Sequence, residues 1–183
     1  AVTAGMTTSV NAQLSQAGVI TGTVTAEGSG VPLENIDVNI YDAATGDYIR
    51  DSDTDASGVY HIGSLTTGEY KLYFRDYSGG HLSEYYDDRL DFDSADPVSV
   101  TAGMTATANA MLSQGGRITG LVIDAQSGAG ISGVSVRAER QDANTSDGTA
   151  TTNAGGYYTT TALYTGVYRV RFSPPQPYYA EYY

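Results

Sequence analysis

The hexapeptide Val2-Thr3-Ala4-Gly5-Met6-Thr7 recurs unchanged as Val100-Thr101-Ala102-Gly103-Met104-Thr105, 98 residues later. The same offset carries Leu14-Ser15-Gln16 onto Leu112-Ser113-Gln114 and Ile20-Thr21-Gly22 onto Ile118-Thr119-Gly120. It also carries Ile36 and Val38 onto Val134 and Val136, and Leu65, Gly68, Tyr70 and Phe74 onto Leu163, Gly166, Tyr168 and Phe172. One deletion then shifts the frame, and Glu84-Tyr85-Tyr86 reappears as Glu181-Tyr182-Tyr183. A repeat of this length makes each copy a folding unit, so the chain holds two examples of one module.

Within each copy apolar residues alternate over short runs, as half-buried strands require. Ile36, Val38 and Ile40 alternate with Asp37 and Asn39, and Tyr168, Val170 and Phe172 with Arg169 and Arg171. Turn-forming clusters such as Ala44-Thr45-Gly46-Asp47, Ala56-Ser57-Gly58 and Ala154-Gly155-Gly156 separate the runs. No window carries a capped helical period. The spacing predicts an all-β sandwich for each copy.

These strand and turn motifs are joined by Val31-Pro32-Leu33, Thr54-Asp55-Ala56-Ser57-Gly58-Val59-Tyr60 and Thr152-Asn153-Ala154-Gly155-Gly156-Tyr157-Tyr158. Together they resemble the carboxypeptidase regulatory-like domain, a transthyretin-like, Cna-B-like β-sandwich found in tandem on secreted and cell-surface bacterial proteins. The resemblance implies two tandem Ig-like/transthyretin-like sandwiches and an extracellular setting, and it specifies no activity. It divides the chain into an N-terminal segment 1–16, a first sandwich 17–114 and a second sandwich 115–183.

The division is uneven. Residues 98–112 are expected to close the first sandwich, whereas the second reaches Tyr183 without such a piece, and residues 1–16 repeat that piece with no sandwich before them. An unfilled sheet edge invites strand addition. The expectation is therefore an N-terminal donor strand presenting Val2, Met6, Val10 and Leu14 to the second sandwich of another copy, with Tyr182 and Tyr183 at the contact. Head-to-tail contacts that do not close into a ring build a filament, so the chief expected partner is the protein itself. Two alternatives are a window from a covalent tandem-repeat stalk or adhesin and a carbohydrate-binding surface module. The opening at Ala1, with neither Met nor leader, is what a processed secreted chain or a fragment would show.

Composition removes other classes. Nine Lys and Arg face 21 Asp and Glu, a net charge of −12 that opposes binding to nucleic acid. No run approaches the ~18 apolar residues of a membrane span. The absence of Cys excludes disulfides, thiol chemistry and cysteine-held metals.

His81 and Glu84 have zinc-pair spacing, but only His61 could complete the set. No nucleophile elbow, nucleotide loop or triad appears, so no enzyme is expected. Asp87, Asp88, Asp91, Asp93 and Asp96 crowd a segment read as the interdomain connector and are the candidate calcium ligands, calcium being the one cofactor considered. Lys71, the only lysine, is replaced by Arg169 in the second copy, which argues against the intramolecular amide of related domains. Asn144-Thr145-Ser146 is a glycosylation sequon, and the paired tyrosines offer a second route to glycans as stacking surfaces.

Overall fold

The alternation becomes strands throughout. A computed structural model describes residues 1–141 and 146–183, in which every regular element is a β-strand. In β1 (Gly18–Ala26) each second residue turns inward, and the same holds for β4 (Val59–Leu65) and β5 (Gly68–Asp76). β2 (Ile36–Asp42) runs between β5 and β3 (Tyr48–Asp53).

The first sandwich has two sheets. In one, β1 pairs antiparallel with β4. In the other the order is β3-β2-β5. The free side of β5 is shared by β6 (Glu84–Tyr85), opposite Tyr73 and Phe74, and by β7 (Val98–Val100), opposite residues 68–70. From β7 the chain turns and crosses to the first sheet, where β8 (Thr105–Thr107) and β9 (Ala110–Leu112) run parallel along the free side of β1. Residues 98–112 thus seal both sheets along one side, and Val100, Ala108 and Leu112 join Ile20, Val24, Tyr60 and Phe74 in one apolar cluster.

The second sandwich repeats the plan up to that point. β10 (Thr119–Leu121) pairs with β13 (Tyr157–Thr159), and the facing sheet runs β12 (Ser146–Thr151), β11 (Ser135–Arg140), β14 (Tyr168–Ser173), β15 (Glu181–Tyr182). Its local devices are copies. Thr54 Oγ1 donates to the Leu33 carbonyl and accepts from the Ile36 N–H, and Thr152 Oγ1 does the same with Ile131 and Val134. Asp55 and Asn153 each gather two N–H groups of the following turn. That turn ends on Gly58 or Gly156, whose φ angles of 74° and 82° disfavour any side chain.

The two sandwiches touch through the 76–83 loop. Ala162 N–H donates to Gly79 O (3.0 Å) and the Arg117 guanidinium to Gly79 O (2.8 Å), while Leu82 N–H ties the loop to Ser113 O (2.9 Å) at the end of the first sandwich. The loop is held from within by Asp76, whose carboxylate accepts from the N–H groups of Ser78, Gly80 and His81.

Candidate functional site

The two sandwiches differ where residues 98–112 lie. In the first, Tyr60 Oη donates to the Ala108 carbonyl (2.6 Å), and the Ala108 N–H donates to Thr21 O (2.9 Å). Val19 N–H reaches Met104 O (3.0 Å) and Glu27 N–H reaches Leu112 O (3.0 Å), while the Thr23 N–H is taken by the Asn109 side chain (2.9 Å). Among the described residues of the second sandwich no strand lies along that side of β10. The counterparts of Ile20, Val24, Tyr60 and Phe74 are Ile118, Val122, Tyr158 and Phe172, and all four change from buried to half-buried. An open groove of about 660 Å³ runs there, lined by Leu121, Val122, Val134, Phe172, Pro177 and Tyr178 among others.

Two glycines show what the closing segment demands of the first sandwich. A Cβ on Gly22 would lie 1.8 Å from Ala108 O, and one on Gly18 would lie 2.3 Å from Val100 Cγ1, so the closing segment requires glycine at both places. Their counterparts are Gly120 and Gly116. A Cβ on Gly116 meets nothing nearer than Leu163 O at 3.6 Å, and one on Gly120 meets only the end of the Tyr158 ring, 2.7 Å away. The second sandwich keeps the clearance for a segment that no described residue supplies.

Residues 1–16 form no strand, and Val2, Met6, Val10 and Leu14 are all exposed. The segment already holds the turn of its repeat. Met6 N–H donates to Thr3 O (3.1 Å) with Gly5 at φ 77°, as Met104 N–H donates to Thr101 O (2.9 Å) with Gly103 at φ 81°. Position by position, Val2, Val10 and Leu14 match the buried Val100, Ala108 and Leu112, and Met6 matches Met104, which is 63 % exposed. In the closing segment of the first sandwich the inward residues are Val100, Ala106, Ala108, Ala110 and Leu112, whose counterparts are Val2, Thr8, Val10, Ala12 and Leu14.

The remaining candidates scatter. Asp87, Asp88, Asp91, Asp93 and Asp96 lie between β6 and β7, inside the first sandwich and not in a connector between domains. Arg89 binds Asp96 (2.8 Å) and approaches Asp87 (3.7 Å), and Asp91 accepts from the Ser94 N–H, which holds its carboxyl below the usual range. Among the described residues no three such side chains gather as a metal site would need. His81 is turned onto Asp76 (3.0 Å). Lys71 Nζ donates to Phe92 O (2.6 Å) and sits over the Phe92 ring. Tyr182 and Tyr183 are exposed beside the groove, with Arg169 and Arg171 against the Tyr182 ring. Asn144 lies outside the described residues.

Glu84 stood out in the sequence only for its spacing from His81, and its burial was not foreseen. It is buried, and loss of water pushes its carboxyl up to about 8, with the Asp88 and Glu27 carboxylates acting in the same direction. The folded protein therefore holds a proton that the unfolded chain releases above about 4.5. Stability from this group is complete below that pH, declines as pH rises towards about 8, and is level beyond. Urea titrations across this range should show the decline in the wild-type protein and a flatter profile in Glu84→Gln.

Two sandwiches of one plan, the first closed and the second open along one side, define the chain as a tandem of β-sandwich modules. It belongs to the carboxypeptidase regulatory-like domain family, whose profile matches residues 19–113 and 117–181. No curated protein matches it. Among solved structures it is similar to the Bacillus anthracis TIE protein, at 15 % identity over 92 % of this chain and 31 % of that one, with a TM-score of 0.43. It is also similar to a streptococcal ancillary pilin, at 12 % identity over 92 % of this chain and 58 % of the pilin, with a TM-score of 0.45. A third likeness is to the shaft pilin SpaA of Lactobacillus rhamnosus GG, at 9 % identity over 93 % of both chains, with a TM-score of 0.40. The chain thus spans less than two thirds of the first two proteins.

Proposed function

We propose that the protein is a structural subunit of an extracellular, pilus-like filament, in which residues 1–16 of one copy close the second sandwich of the next. The observation that carries this reading is the clearance kept at Gly116 together with the glycine kept at Gly120, which would match Val2 and the carbonyl of Val10 as Gly18 and Gly22 match Val100 and the carbonyl of Ala108. Other partners follow from the same register. Tyr158 Oη would donate to Val10 O, the Asn11 side chain would take the Leu121 N–H, and Leu14 would enter beside Val122 and Phe172.

The connection dictates assembly between copies. Ser113-Gln114-Gly115-Gly116 links a closing segment to the sandwich after it, and Ser15-Gln16-Ala17-Gly18 does the same. A docked segment 1–16 therefore sets its own first sandwich beyond the acceptor's second one, a place that a molecule's own first sandwich, joined at the other end, does not occupy. The contact is heterologous and propagates as an open chain.

The test is to concentrate the 183-residue chain and follow it by sedimentation and electron microscopy. Fibres with a two-sandwich repeat are expected, and residues 17–183 alone should stay unassembled. A chain that remains monomeric at high concentration would sink the reading. If the groove were then filled on extending the chain past residue 183, a covalent tandem array would stand in its place.

A further inference from the structure

The second sandwich also differs from the first in charge. Residues 18–112 hold sixteen of the 21 acidic side chains and four of the nine basic ones, whereas residues 115–183 hold five of each. The whole net charge of −12 thus belongs to the first sandwich, and the second is balanced.

Strand register concentrates this contrast on equivalent outward faces. In the second sandwich Val136 and Ala138 of β11 and Val170 of β14 point inward, which turns Arg137, Arg169 and Arg171 outward. Arg137 lies opposite Arg171, and Arg169 lies opposite Glu139. None of these three arginines forms an ion pair among the described residues, and Arg171 Nε is shielded from solvent without a hydrogen-bond partner. In the first sandwich the equivalent face carries Asp53 opposite Asp37 and Asp51 opposite Asn39. The two cations there are engaged locally, Lys71 with Phe92 and Arg75 over Tyr77.

We propose that the outward face of β12-β11-β14-β15 is a docking surface for a second copy of this chain, and that it receives the acidic outward face of that copy's first sandwich. Charge complementarity selects this occupant. A protein of this net charge repels its own copies except where the arginine face meets the acidic one. Guanidinium groups suit carboxylates through paired N–H donors. In an end-to-end polymer, acidic and balanced sandwiches alternate, so a stagger of one sandwich sets each arginine face beside an acidic face and draws filaments into bundles. Without end-to-end assembly the same contact joins copies side by side, so this inference does not depend on the preceding reading.

The experiment uses the full chain at low and high ionic strength, with fibre width read by electron microscopy and particle mass by sedimentation. Bundles, or side-by-side oligomers if no fibres form, are expected at about 0.01 M salt and should dissolve by about 0.3 M as screening sets in, whereas axial length should change little. Arg137→Gln should weaken lateral association and leave axial length and thermal stability unchanged, and adding Arg169→Gln and Arg171→Gln, which also lose their place on the Tyr182 ring, should bring the lateral loss to at least about tenfold. Asp51→Lys with Asp53→Lys should do the same. Adding Arg137→Glu, Arg169→Glu and Arg171→Glu to that pair should restore association, a result that a loss of folding could not produce. Salt-independent bundling, bundling unaltered by the arginine variants, or retention of a soluble polyanion such as heparin by this face with no association at low salt would each overturn the proposal.

Discussion

A methyl group added at Gly116 should leave the subunit folded and stop it assembling, whereas the same change at Gly18 should damage the first sandwich. At Gly18 the new carbon would meet Val100 Cγ1 at 2.3 Å and Thr101 O at 3.0 Å, and these belong to a segment fixed by its own ladder. Overpacking of this kind costs about 1–3 kcal/mol, and more where backbone must move. At Gly116 the nearest atom is Leu163 O at 3.6 Å, an ordinary contact. The methyl would meet Val2 only when a donor segment docks. Gly22 carries the same constraint, with the Ala108 carbonyl 1.8 Å from the new carbon, but at Gly120 the new carbon would already meet the Tyr158 ring at 2.7 Å, so that pair separates folding from assembly less cleanly.

Thermal melts should therefore show Gly18→Ala and Gly22→Ala destabilised and Gly116→Ala close to wild type. Sedimentation should show Gly116→Ala assembling only at concentrations raised about 10–100-fold, the equivalent of 1.4–2.8 kcal/mol at the joint. Filaments of normal length from Gly116→Ala at ordinary concentration would refute docking in this register.

The sandwiches were legible because their signals are local. Alternation in 36–42 and 168–173 set strands, and the two Gly-containing turns after Thr54 and Thr152 set the crossings from one sheet to the other, each within a few residues. The repeat itself marked residues 1–16 and 98–112 as equivalent. It did not show which side chains point inward. Val2, Met6, Val10 and Leu14 read as one apolar face because they are apolar, yet their spacing of four is not a strand period, and Met104, which matches Met6, is exposed in the first sandwich. The alternation of 106, 108, 110 and 112 suggests a different inward set for residues 1–16. Alanine and threonine fill two of its five positions, and no hydrophobicity pattern distinguishes them.

The acidic residues are legible only as a cluster. Asp87, Asp88, Asp91, Asp93 and Asp96 are dense in sequence, and the loop between β6 and β7 sets Asp87 and Asp96 beside Arg89 and Asp91 on the Ser94 N–H. The burial of Glu84 went unread because its surroundings, Glu27 and Asp88 among them, come together only after β1 and β6 are brought to the same end of the sandwich. Gly22 was visible as part of Ile20-Thr21-Gly22, but its purpose is a carbonyl 86 residues away in the chain, at Ala108.

Leu112 and Leu14 provide the sharpest separation of folding from assembly, because one side chain in one sequence context serves two different equilibria. Leu112 is fully buried against the core of the first sandwich, and its loss should cost about 2–5 kcal/mol through lost transfer energy and the cavity left behind. Leu14 is 91 % exposed and touches no core, so Leu14→Ala should leave the melting temperature of the unassembled subunit where it was. If Leu14 enters the groove beside Val122 and Phe172, the truncation removes a comparable burial from the joint between copies. The critical concentration for assembly should then rise by more than tenfold, since each 1.4 kcal/mol is a factor of ten. Leu14→Asp should abolish assembly outright, because a carboxylate would have to lose its water with no partner in the groove. Met6→Ala should have little effect on either measurement, its counterpart being outward. A donor strand in the proposed register requires all three results together. Equal sensitivity at Met6 and Leu14 would mean that the segment docks with its opposite face, and insensitivity at both would mean that it does not dock.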